Sequence, residues 1–77
     1  RIDVMIDAEG KMSLGGELKK KNITEKEAVA AIKTALADNP EMPVMIAADS
    51  DLRYQQVITM MKQLREAGVQ RVGLSVK

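Results

Sequence analysis

Seventy-seven residues with 12 basic and 11 acidic side chains, a net charge of +1, make one small domain that projects no long-range field for a polyanion. There is no cysteine and no histidine, which excludes thiol nucleophiles, Ser-His and Cys-His couples and zinc sites of the Cys/His type. Tyr54 is the single aromatic residue, too few rings for a base-stacking platform, so nucleic acid is not an expected partner.

Ile2, Val4 and Ile6 alternate with Asp3, Met5 and Asp7, the period of a half-buried strand. Ala8-Glu9-Gly10 reads as a turn. Met12 and Leu14 then alternate with Lys11 and Ser13 in a second strand, giving a hairpin that ends or bends at Gly15-Gly16. Those two glycines lack the spacing and the following helix of a phosphate loop. The segment "ELKKKNIT" has no clear period and leaves a short third extended piece open. Its run Lys19-Lys20-Lys21 has no second basic cluster beside it in the sequence, and we read it as a solvated loop or a charged guard against strand pairing. Thr24 and Glu27 have the spacing of a capping box, with Ile23 and Ala28 placed as a hydrophobic staple. Ala28, Val29, Ile32, Ala35 and Leu36 fall on one face of the helix that follows, and Asp38-Asn39-Pro40 stops it.

Val44 to Ala48 forms an apolar strand between Pro43 and Asp49, expected to be central. Tyr54, Val57, Ile58, Met61 and Leu64 line one face of a second helix, with Met60 and Met61 as core and its margin. Arg65 suits the negative end of its dipole. Gly68 is placed for a left-handed helix stop, with Val69 as its hydrophobic contact. Val72, Leu74 and Val76 alternate with Arg71, Gly73, Ser75 and Lys77 in a last strand. The expected order is β-β-α-β-α-β, and the expected fold an α+β two-layer sandwich with two helices on one face of a small mixed sheet. Its final βαβ unit should be right-handed with parallel strands.

Asp49-Ser50-Asp51 is the one place where carboxylates meet a strand end. A calcium loop would put Arg53 at its third ligand position and Tyr54 where glycine is required. A phosphate-transferring site would need a metal ion, further carboxylates and a cap, for which this chain has no room. We therefore read Asp49 and Asp51 as capping residues of the helix-start turn that leads to Tyr54. No catalytic, cofactor-binding or metal-ligating residue is assigned.

From Pro43 onward the chain resembles the periplasmic domain of the ExbD/TolR family. The motifs that carry the likeness are Pro43-Val44, Ala48-Asp49-Ser50-Asp51, Tyr54, and Ala67-Gly68-Val69 with Val72 and Leu74. The N-terminal half is similar more loosely, through the first strand, a glycine turn, and Thr24 with Glu27. Arg53 stands where many relatives have proline, and Ala47 where a basic residue is common. The resemblance implies a non-enzymatic domain on the periplasmic face of the Gram-negative inner membrane, anchored by one membrane helix that would precede Arg1. It implies a place in a proton-motive-force-driven motor, with TolQ-like and TolA-like or ExbB-like and TonB-like partners, and self-association as a homodimer. Peptidoglycan is a further expected partner. The closing "GVQRVGL" is similar to TolR more than to ExbD, which points to outer-membrane integrity and cell-envelope constriction. The last strand, through Val72, Leu74 and Val76, is the candidate edge for a twin or partner chain; its alternative is an edge ended by solvent and charge. The alternative for the whole chain is a small regulatory module that binds a polar ligand near Asp49 to Tyr54.

Overall fold

The alternating segments all become strands in the computed structural model, which describes residues 1–76, Val76 through its backbone alone. The elements are β1 (Ile2–Ile6), β2 (Met12–Gly16), β3 (Lys20–Ile23), α1 (Glu25–Asp38), β4 (Val44–Ala48), α2 (Tyr54–Glu66) and β5 (Val72–Val76). They build one mixed sheet in the order β3-β2-β1-β4-β5. The hairpin strands β1 and β2 are antiparallel, as are β2 and β3, whereas β4 runs parallel to both β1 and β5. The expected α+β sandwich is present, with one strand more than the order read from sequence.

That extra strand is the lysine segment. Met12 faces Ile23 and Leu14 faces Lys20, with a register shift between them, and Asn22 takes φ +52°. Lys20, Lys21 and Asn22 are all exposed and Ile23 is half-buried, so no face of β3 alternates. A strand that buries neither face leaves no period-2 signal, which is why the sequence shows only a charged run. Gly16 provides the bend into this segment. Its φ is +74°, and a Cβ there would collide with the Arg1 carbonyl, which accepts the Glu17 N–H at 3.0 Å.

One face of the sheet carries the core. Ile2, Val4 and Ile6 lie in register with Val44, Ile46 and Ala48, and all six are buried together with Met12 and Leu14. Ala28, Ile32 and Leu36 from α1 and Val57, Met60 and Leu64 from α2 close over them. Among the described residues every buried side chain is aliphatic or methionine, and none is polar.

The two helices are held in different ways. Thr24 Oγ1 accepts the Glu27 N–H and Glu27 Oε1 accepts the Thr24 N–H, both at 3.1 Å, which is the expected capping box. This exchange of hydrogen bonds holds the Glu27 carboxyl below its ordinary range, the Thr24 N–H first and its hydroxyl second. α2 instead closes on a left-handed glycine. Gly68 has φ +105°, its N–H reaches the Arg65 carbonyl at 3.0 Å, and the Val69 N–H reaches the Leu64 carbonyl at 3.0 Å while Val69 is buried.

The buried face of α2 differs from the one read in sequence. Val57, Met60 and Leu64 are buried and Met61 is half-buried, but Tyr54 and Ile58 stand out in solvent. At about 100° per residue the apolar positions of this helix span more than one contact arc. The sheet covers only one such arc, centred on Met60, Leu64 and Val57, and the remainder stays exposed.

Candidate functional site

The candidate residues sit at two places, the free edge formed by β5 and the turn from β4 into α2. At the edge, parallel pairing with β4 aligns Val72 with Val44, Leu74 with Ile46 and Val76 with Ala48. The Val44 N–H bonds the Arg71 carbonyl at 2.8 Å, so the backbone groups of Arg71 point inward. Backbone groups of successive residues in a parallel strand point to opposite sides. Those of Val72 and Leu74 therefore face out of the sheet, where no further strand lies. Val72 packs against the core, and Leu74 is 38% exposed. The side chain of Val76 lies outside the described residues.

Neighbouring side chains leave this edge thin. On the sheet face away from the helices, the Met45 side chain lies across Gly73, and a Cβ there would stand 2.9 Å from its terminal methyl. Nothing charged belongs to the described part of the strand, Val72-Gly73-Leu74-Ser75-Val76. The opposite edge has a different character. β3 presents exposed Lys20 and Lys21, a register shift and a positive φ at Asn22, all features that discourage a further strand. The sheet thus has one guarded edge and one open edge.

The turn does not work as expected from sequence. The N-cap of α2 is Arg53, which is extended (φ −64°, ψ 132°) and makes no side-chain capping bond, and no acid stands in the first turn. Asp49 folds back on its own loop instead. Its Oδ1 accepts the Asp51 N–H at 2.9 Å and its carbonyl accepts the Leu52 N–H at 3.0 Å. That tight turn is complete before Arg53, so neither aspartate reaches the first N–H groups of the helix. Asp49 and Asp51 mark the end of β4, and capping of α2 is not their role. Asp49 is also tied to β1, its N–H donating to the Ile6 carbonyl at 3.0 Å.

A matching turn ends β1 at the expected Ala8-Glu9-Gly10, and the structure adds Asp7 as the residue that closes it. Asp7 Oδ1 accepts the N–H groups of Glu9 and Lys11, both at 2.9 Å, and the Gly10 N–H reaches the Asp7 carbonyl at 2.9 Å. The Asp-x-x-Gly spacing was the available signal. Tyr54, the first residue of α2, is 73% exposed and packs into no pocket. The arrangement offers an open strand edge and two self-satisfied aspartate turns. Among the described residues no three acidic side chains gather as a metal site.

Over residues 1–77 the chain matches the family described as ExbD, biopolymer transport protein ExbD/TolR. No curated protein matches the chain.

Proposed function

The chain belongs to the ExbD/TolR family of biopolymer transport proteins, and on that premise we propose that it is the periplasmic interaction domain of a Tol-type motor complex, nearer to TolR than to ExbD. Members of the family are non-enzymatic transport accessories, anchored in the inner membrane and working with ExbB/TolQ-type membrane partners. In this reading residues 1–77 form one domain on the periplasmic side, and a single membrane helix precedes Arg1. The domain turns over no substrate. It associates with a second copy and with a TolA-like partner, takes peptidoglycan as a further contact, and contributes to outer-membrane integrity and envelope constriction.

The observation that carries this reading is the open edge at β5. Outward backbone groups at Val72 and Leu74 support the addition of a strand from a twin or partner chain, and the exposed Leu74 side chain adds apolar area to it. The closing Gly68-Val69-Gln70-Arg71-Val72-Gly73-Leu74 sequence supports TolR over ExbD.

A proline at an edge strand removes an outward N–H without breaking the ladder beneath it. Leu74→Pro should therefore keep the wild-type circular dichroism spectrum and turn a self-associating domain into a monomer in sedimentation equilibrium. A wild-type domain that stays monomeric at high concentration would count against the edge, as would a Leu74→Pro variant that associates equally well. Deleting the gene should make cells leak periplasmic enzymes and become detergent-sensitive; a defect confined to energised import would assign the ExbD role instead.

A further inference from the structure

A second place lies away from the β5 edge. The carboxyl end of β1, the β1–β2 turn and the start of β2 face the first turn of α1 and the N-terminal half of α2 across a cleft of about 190 Å³. Its floor is apolar, with Ile6, Met12 and Met60 buried and Leu52 half-buried. Its rim carries Glu25 from the first turn of α1 and Gln55, Gln56 and Thr59 from α2, with Gly10 of the β1–β2 turn beside Gln56.

None of the four polar rim side chains has a hydrogen bond or ion pair with another described residue. The capping of α1 engages Glu27 and leaves Glu25 unused. Among the described residues Glu25 is also the only formally charged one lining the cleft. A cavity of about 150 Å³ takes one benzene molecule, so a volume of this order suits a chain of about six heavy atoms and excludes a nucleotide or a sugar chain. Among the described residues a ligand carboxylate or phosphate would find no cation here. An ammonium group would find Glu25, amide carbonyls and a hydroxyl, with methionine and isoleucine beneath its alkyl part.

We propose that this cleft binds an aliphatic primary amine, the alkylammonium chain carried by a lysine side chain or by a free diamine. The site shares no residue with the β5 edge.

The test is a titration of the isotope-labelled domain with n-butylammonium chloride, followed by amide resonances. Saturable shifts are expected at Gly10, Leu52, Gln56 and Thr59, with a Kd on the order of millimolar, as suits so few heavy atoms in a half-open site. n-Butanol, with the same chain and no charge, should bind about fivefold more weakly, the increment of an exposed ion pair. Glu25→Gln leaves the capping box intact and should bring the amine down to the affinity of the alcohol. Thr59→Phe, at an exposed helix position, should fill the mouth and abolish both. Nα-acetyl-lysine methylamide and 1,5-diaminopentane separate the sources, the tighter of the two naming the ligand. Shifts that grow without saturating, that spread over the whole surface, or that are unchanged in Glu25→Gln would overturn the proposal.

Discussion

At the scale of the residue, two glycines test how backbone and space divide a cost. Gly16 and Gly68 both have positive φ, +74° and +105°. A Cβ on Gly68 would meet nothing within 4 Å, whereas one on Gly16 would strike the Arg1 carbonyl. Gly68→Ala should cost about 1–2 kcal/mol, the strain of a side chain at positive φ. Gly16→Ala should cost more, because β1 and the bend must separate as well. Urea unfolding of the two variants checks the order; equal losses would mean that the bend opens freely. Glu27 gives a pH-dependent residue. Its folded carboxyl is held below the ordinary range by the two bonds with Thr24. The box is therefore complete above the ordinary carboxylate range and is lost as pH falls through that range to the depressed value. Thr24→Ala should cost about 1 kcal/mol at neutral pH, and that difference should shrink in acid.

At the scale of the element, α2 shows how an apolar helix is divided by what it packs against. Met60 is 1% exposed and Ile58 is 40% exposed, two residues apart on one helix. Met60→Ala should cost about 2–5 kcal/mol through the cavity it leaves, a large part of the roughly 5–10 kcal/mol expected for a domain of this size. Ile58→Lys should change stability by less than about 0.5 kcal/mol. Thermal or urea unfolding decides between them, and a severe loss in Ile58→Lys would mean that its side chain is covered in solution. The start of α1 and the end of α2 needed no such arbitration. Thr24 with Glu27, and Gly68 with Val69, were legible because a cap is closed by residues within a few positions of one another. The aspartates were misread for a related reason. Asp starts helices and also closes turns with its own backbone, and only the extended Arg53 between them separates the two roles.

At the scale of the molecule, the two sheet edges are asymmetric, and in the proposed reading that asymmetry directs association. β3 has exposed lysines, a shifted register and Asn22 at positive φ, while the described part of β5 is short and uncharged. Replacing Lys20 and Lys21 together by threonine should create a second open edge. Light scattering of the double variant should then show larger species than the wild type forms. Unchanged size would mean that the shifted register alone guards β3. Strand addition at one edge alone would yield closed pairs rather than open fibres.

The sequence by itself determined which segments alternate, where α1 is capped, how α2 ends, and the family to which the chain belongs. These are matters of local periodicity, near-neighbour hydrogen bonds and motif. Only the tertiary structure decided that the lysine run is a strand, that β4 lies between β1 and β5, which arc of α2 is buried, and that a cleft opens between the β1–β2 turn and the starts of α1 and α2. Each of those depends on which distant segment lies alongside, and a strand or helix is silent about its partner when the side chains that would report it are exposed or uniformly apolar.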